Sequence, residues 1–209
     1  MVQTENLTFH YKKAEHTFRF PNIALKEQEN LLILGKSGIG KTTLLHLMAG
    51  LLKPASGSLI IDGVAINSLS HSELDKFRGQ NIGLVFQKSH AVKSLNVLDN
   101  LKARLFFSKK SVNHTIIDSL FEQLDLTEIK KKKINELSEG QLQRLGIAMA
   151  VVHNPQIILA DEPTSSLDDE NCRAVLQLLQ EQAKKNNANL IVITHDARVK
   201  SAFKNVITL

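Results

Sequence analysis

The stretch Gly35-Lys36-Ser37-Gly38-Ile39-Gly40-Lys41-Thr42 constrains this chain more than any other part of it. An apolar run, Leu31-Leu32-Ile33-Leu34, leads into it, and a helical pattern over residues 41–52 follows. The spacing is G-x-x-x-x-G-K-[ST]. Glycines let the backbone curl until successive N–H groups converge on one anion. The helix behind the loop turns the positive end of its dipole to the same point. Such a loop cradles phosphate: Lys41 reaches the β- and γ-phosphates of a nucleotide, and the Thr42 hydroxyl can ligate Mg²⁺. The G-x-G inside the loop carries no weight as a dinucleotide fingerprint.

The remainder of the chain supplies the sheet that this strand needs. Residues 156–160 and 190–194 read as buried strands, with a helix over 169–185 between them. Strand–helix–strand alternation predicts a parallel sheet with helical cover. Residues 7–11 and 17–20 alternate apolar and polar with period two, and 58–66 read as a hairpin about an Asp62-Gly63 turn. These make an antiparallel part near the N-terminus. From 96 to 152 the pattern is helical, with helices expected over 97–107, 112–124 and 140–152. The fold expected is therefore α/β: a phosphate-loop nucleotidase core with a parallel sheet, an antiparallel β subdomain and a helical insert. The 209 residues suit one domain. Its nucleotide-binding core is expected over about 1–87 and 155–209, and its helical subdomain over about 88–154.

Nothing in the sequence approaches the ~20 apolar residues that span a bilayer, and the first residues do not read as a signal peptide. A cytoplasmic location is expected. The single cysteine, Cys172, falls at helical core spacing with Val175, Leu176 and Leu179, so it reads as a small buried apolar residue. The net charge is +5. Its densest run, Lys130-Lys131-Lys132-Lys133, reads first as a solvated turn, with anionic lipid or nucleic acid as alternatives.

A second carboxylate-bearing element completes the chemistry. Ile157-Ile158-Leu159-Ala160-Asp161-Glu162 is an apolar strand ending in two acids. Beside a phosphate loop, Asp161 is placed to hold Mg²⁺ through its water shell. Glu162 suits a general base that polarises the attacking water.

Loop and acids together indicate only a nucleotide hydrolase. Leu137-Ser138-Glu139-Gly140-Gln141 resembles the Leu-Ser-Gly-Gly-Gln signature of ATP-binding-cassette ATPases, and it precedes the acidic strand as in that family. Gln87, after Gly83-Leu84-Val85-Phe86, resembles the family's Gln loop. Ser165-Ser166-Leu167-Asp168 resembles its Asp loop, and His195, after Ile191-Val192-Ile193-Thr194, its switch histidine. Tyr11 lies where the family stacks an aromatic on adenine, although Phe9 and Phe18 compete for that role. The likeness spans essentially the whole chain, with the motifs in order. Within the family, residues 73–78, 81–87 and 96–101 look most like the ATPases of lipoprotein-release, macrolide-export and cell-division systems.

This resemblance implies ATP and Mg²⁺ as ligands, and hydrolysis by a head-to-tail homodimer. Each ATP would lie between one copy's phosphate loop (Gly35, Lys36, Ser37, Gly38, Ile39, Gly40, Lys41, Thr42, Thr43) and the other's signature. Ser138, Gly140 and Gln141 would bind it there, with Ser138 and Gly140 donating to the γ-phosphate. Tyr11 and Asp168 would complete nucleotide binding. Glu162, His195 and Gln87 would be catalytic, and Thr42, Gln87 and Asp161 would serve the metal. Motion would pass through the helical insert to a separate transmembrane permease, with Gln87 at the joint and helices 97–107 and 112–124 flanking a docking groove. The chain would be peripheral on the inner face of the membrane through that permease. Glu139 departs from the usual glycine of the signature; a carboxylate there favours the helix N-terminus but would repel phosphate if turned inward. Three other classes fit less well. The chromosome-maintenance ATPases carry long coiled coils that are absent here. The translation-factor ATPases carry two cassettes. A non-hydrolysing module would not need Lys41, Asp161, Glu162 and His195 together. No nucleic-acid partner is expected.

Overall fold

Alternating burial along Val2–Phe9 (β1) makes it the centre of an antiparallel sheet. On it pair Phe18–Arg19 (β2), Ile23–Leu25 (β3) and, across a bulge, Ser56–Ile61 (β5). Asn30–Leu34 (β4) runs into the helix Lys41–Met48 (α1). The predicted hairpin is present: β5 turns through Asp62 and Gly63, both at positive φ, into Val64–Ala65 (β6). A helix, His71–Asn81 (α2), leads to Ile82–Val85 (β7). Then come helices Val97–Phe107 (α3), His114–Gln123 (α4) and Glu139–Val151 (α5). The chain closes with Ile157–Asp161 (β8), Asp169–Lys185 (α6), Asn189–Thr194 (β9) and Asn205–Thr208 (β10). This computed structural model describes residues 1–12, 16–87, 90–165 and 167–209.

The second sheet is parallel, in the order β10-β4-β9-β8-β7. Its inner strands β4, β9 and β8 carry unbroken apolar runs because both of their faces are covered, whereas the edge strand β10 is exposed at both ends. Leu31, Ile33, Ile157, Leu159, Ile191 and Ile193 face one core with α1 and the antiparallel sheet. Their neighbours Leu32, Ile158, Ala160, Leu190 and Val192 face the other, with α3 to α6. The insert therefore shares its core with the sheet. Cys172 is buried in that core with Val175, Leu176 and Leu179, as its spacing predicts.

Three expectations need correction. The strand expected to reach Tyr11 stops at Phe9, so Tyr11 lies beyond the ladder. The helix expected to reach residue 52 ends at Met48, because Gly50 takes a left-handed φ of 63° and closes the chain back on the last turn. The groove beside Gln87 is not flanked by α4. It is walled by α2, β7, α3 and α5, because α4 packs behind Ile117, Leu120 and Phe121. Of the lysine run, Lys131, Lys132 and Lys133 are exposed, and Lys130 is half-buried against Asp118 and the ring of Phe121.

The insert is fastened to the sheet by two close contacts. A Cβ on Gly83 would lie 2.2 Å from the Ala150 carbonyl oxygen, so only glycine lets α5 sit this close on β7. Beside it, Arg104 donates to the carbonyls of Gly79 and Ile82 (3.0 Å each), to Ser108 Oγ (2.8 Å) and to His153 Nε2 (2.8 Å). Each of these partners is neutral, and burial lowers the Arg104 pKa to about 10. A guanidinium only donates, so His153 Nε2 accepts and the proton sits on Nδ1. That Nδ1 has no partner among the described residues. Burial, reinforced by the Arg104 charge, lowers the His153 pKa to about 3 from 6.5.

This pair sets an acid sensitivity. Well above pH 6.5 His153 is neutral folded or unfolded. As pH falls from 6.5 towards 3, the unfolded chain takes up a proton that the folded chain refuses, so stability is lost across that window. His153→Gln keeps an acceptor for Arg104 and cannot titrate. Urea unfolding at several pH values should show the wild type losing up to ~1.4 kcal/mol per pH unit more than this variant below pH 6.5. Equal pH slopes for the two proteins would contradict the assignment.

Candidate active site

Parallel pairing brings the sites together. Leu34 lies beside Thr194, and Asp161 beside Ile193. The phosphate loop, Asp161-Glu162 and Thr194-His195 therefore emerge from adjacent strands at one carboxyl edge, where α/β sheets bind ligands. In the loop, Gly40 has φ 107°, and a Cβ there would strike the Phe18 ring at 2.7 Å. Only glycine fits, and Phe18 closes the loop from the antiparallel side.

Lys41 is almost wholly buried. Its Nζ donates to the carbonyls of Gly35 (2.8 Å) and Lys36 (3.1 Å) and pairs with Glu162 Oε1 at 3.4 Å. Thr42 Oγ1 donates to Asp161 Oδ1 at 3.4 Å. Glu162 is held at φ 49°, a left-handed conformation that costs a non-glycine residue, and its N–H donates to the Ile193 carbonyl at 2.9 Å. Thr194 Oγ1 donates to Glu162 Oε2 at 2.7 Å, and His195 Nδ1 lies 3.0 Å from both carboxylate oxygens. Burial pushes the Glu162 carboxyl up, but the hydrogen bonds from His195 and Thr194 together outweigh it and leave the pKa below the ordinary range. Burial pushes the neighbouring Asp161 up, with the Glu162 charge adding to it and the Thr42 bond opposing it. The two adjacent acids are thus driven apart, with Glu162 the more firmly ionised.

The other predicted residues lie around this centre. Gln87 donates through Nε2 to Ser165 Oγ at 3.0 Å, which joins the Gln loop to the Asp loop. Ser166 lies outside the described residues. Asp168 caps α6 by accepting from the Asn171 N–H at 2.8 Å. Ser138 and Gln141 form a capping box at the start of α5. Ser138 and Gly140 are exposed, a Cβ on Gly140 would meet nothing within 4 Å, and none of the hydrogen bonds among the described residues joins Ser138, Gly140 or Gln141 to the phosphate loop. Glu139 is exposed at the first position of α5. Tyr11 is 44% exposed, and its hydroxyl lies 2.9 Å from Thr43 Oγ1 in the first turn of α1. Phe9 is buried with its ring perpendicular to that of Tyr11 at 4.8 Å, and Phe18 is half-buried against the loop, so Tyr11 is the most exposed ring of the three.

Three positions escaped the sequence reading. Thr194 is fully buried and bonds Glu162 directly; a hydroxyl ending an otherwise apolar strand was the available signal. Gln143, on the signature helix, donates to the Pro163 carbonyl just after Glu162. Arg198 binds Asp196, Asp169 and the Leu167 carbonyl, and so ties the turn after His195 to α6. Their reach spans 20 to 32 residues of sequence, which no local pattern reveals.

Comparison with known proteins agrees with this geometry. Residues 19–165 match the family model described as ABC transporter. The lipoprotein-releasing system ATP-binding protein LolD of Buchnera aphidicola is 40% identical over 205 residues, covering 95% of this chain and 89% of that protein. The uncharacterized ABC transporter ATP-binding protein MJ0796 of Methanocaldococcus jannaschii is 35% identical over 218 residues, covering all of this chain and 93% of that one. The dimeric structure of MJ0796 in a post-hydrolysis state, bound to ADP and Pi, superposes with a TM-score of 0.88 at 34% identity, over 100% of this chain and 94% of that one. The cbiO1 structure from Clostridium perfringens, part of the ABC transporter complex cbiONQ, also gives 0.88, at 28% identity over 99% of this chain and 83% of that one. With its phosphate loop, acidic strand end and signature helix in one frame, matched along nearly its whole length, the chain belongs to the ABC transporter family as one of its ATP-binding cassettes.

Proposed function

We propose that the chain binds and hydrolyses ATP as a head-to-tail dimer, and that this drives a separate membrane-spanning partner. The observation that carries the reading is Glu162: an ionised carboxylate held by Thr194 and His195, 3.4 Å from the phosphate-loop lysine. Lys41 and the loop N–H groups hold the phosphates. Glu162 accepts the proton of the attacking water as the water oxygen bonds to the γ-phosphorus and the bond from that phosphorus to the β,γ-bridging oxygen breaks, releasing ADP and phosphate; His195 orients the water and the γ-phosphate. Thr42 and Asp161 offer two hard oxygens from one corner of the site, which suits Mg²⁺, an ion that takes few protein ligands and fills its shell with water and phosphate. When bound it would supply charge neutralisation at the phosphates, with Gln87 reaching it from the groove. Tyr11 would stack on the adenine.

Dimerisation follows from what the single chain leaves apart. The signature residues Ser138 and Gly140 lie exposed at a helix N-terminus with no bond to their own phosphate loop. A second copy's γ-phosphate would meet that N-terminus and its dipole. The dimeric MJ0796 structures support this arrangement. The membrane partner would seat a short cytoplasmic helix in the groove of about 940 Å³ between α2, α3 and α5, which also reaches Gln87 and Glu162. No helix among the described residues is long and apolar enough to cross a membrane, so docking would place the chain peripherally at the cytoplasmic face. The LolD names favour a partner of the lipoprotein-releasing kind over other members of the same group.

ATPase activity per subunit should rise with protein concentration, since each site needs two chains. Glu162→Gln should bind ATP, hardly hydrolyse it, and accumulate as dimer on a sizing column with ATP. Constant activity per subunit through monomeric dilutions, or near-normal turnover of Glu162→Gln, would reject the model.

Thr194→Val removes the hydroxyl that bonds Glu162 and leaves its oxygen without that donor. The maximal rate should fall roughly 5- to 100-fold, the cost of one unsatisfied buried group, with little change in KM for ATP. Thr194→Ser should restore most of the rate. Equal rates for the Val and Ser variants would remove Thr194 from the positioning of the base.

Tyr11→Ala should weaken nucleotide binding by roughly 1–3 kcal/mol, the range for stacking on a base, and affect the maximal rate less. Normal binding by Tyr11→Ala beside weakened binding by Phe18→Ala would reassign the aromatic.

A further inference from the structure

The turn from α3 to α4 carries the most exposed large apolar side chains among the described residues. Phe106 is 75% exposed, Phe107 74% and Ile116 56%. The two phenyl rings lie edge to face with centroids 5.6 Å apart. The turn is ordered by its backbone: the Lys109 N–H donates to the Phe106 carbonyl at 3.0 Å and the Lys110 N–H to the Leu105 carbonyl at 3.1 Å, with Lys109 at φ 55°. Phe107 reaches the rim of the docking groove, whereas Phe106 is not among the residues that line it. A projecting aromatic outside a groove is not placed to receive a helix seated inside it.

The chain segment that carries these rings bears charge of one sign. Residues 100–117 contain no aspartate or glutamate. Within that stretch Arg104 is engaged in its buried cluster and Lys102 pairs with Asp99. Lys109 and Lys110 are exposed and make no salt bridge among the described residues. The first acid beyond, Asp118, is held by Lys130. A projecting aromatic followed in the chain by two exposed ammonium groups matches the boundary between acyl chains and anionic headgroups, where a ring enters the apolar layer and ammonium groups stay at the phosphates.

We propose that the α3–α4 turn binds the surface of a membrane containing anionic lipid, through Phe106 with Lys109 and Lys110. The occupant is lipid rather than a segment of the permease. The contact acts without nucleotide and without the permease, so it goes beyond the hydrolytic reading and does not depend on it. It would orient the cassette at the bilayer with its groove towards the membrane subunit.

The test is co-sedimentation of the full chain, without nucleotide, with vesicles of phosphatidylcholine alone and with about 30% phosphatidylglycerol added. The wild type should bind the anionic vesicles and not the neutral ones. Lys109→Gln/Lys110→Gln should bind about 30-fold more weakly, about fivefold for each lysine near an anionic surface. Phe106→Ser should lose roughly tenfold. Basal ATPase of the isolated protein, unchanged in both variants, shows that they fold. Failure of the wild type to bind anionic vesicles, or equal binding by wild type and both variants, overturns the proposal. So does a result in which both variants bind vesicles normally but are no longer recovered with a co-expressed permease, since the turn is then a protein-docking surface.

Discussion

An ammonium group withdrawn from water must find acceptors on every side, and the arrangement of this molecule follows from meeting that need at Lys41. Two carbonyls come from the loop's own first residues and the anionic partner from the end of β8. Desolvation of an unpaired charge is costly enough that the strands bearing these groups must stay in register. Glu162 can serve only because Thr194 and His195, at the end of β9, hold its other oxygen and its ring-facing side. Three adjacent parallel strands are thereby locked at one edge by a single charge.

The helical insert is joined to this centre without slack. It shares a hydrophobic core with the sheet, and α5 rests backbone to backbone on β7 at Gly83. Gln143 on the same helix touches the turn just after Glu162. Arg104, with carbonyl partners at the end of α2 and the start of β7, pins α3 to the groove wall. The groove lining and the carboxyl edge of the sheet are therefore joined by direct contacts, backbone to backbone at Gly83 and through the Gln143 side chain at Pro163.

Much of this was legible in the sequence because it is local. The phosphate loop, the Asp62-Gly63 hairpin, the bounds of α3 and α6, and the acidic end of β8 each depend on residues within a few positions of one another. Cys172 was legible from helical spacing alone. What escaped depends on distance along the chain. The short strands β3 and β10 have no strong pattern and exist because a neighbouring strand offers a ladder. The partition of the groove among α2, α3 and α5, and the setting aside of α4, is a matter of which apolar stripe wins the shared core. The bond from Thr194 to Glu162 joins residues 32 apart. The partly buried Arg104–His153 pair joins residues 49 apart and has no residue-type signature.

The solitary, buried thiol on α6 has a practical consequence. Because Cys172 is the only cysteine and is packed among Val175, Leu176 and Leu179, the native fold is in effect a thiol-free background. A cysteine introduced at any exposed position would then be the sole fast-reacting sulfur, so fluorophores, spin labels or crosslinkers can be placed on either face of the cassette without first removing a residue of its core.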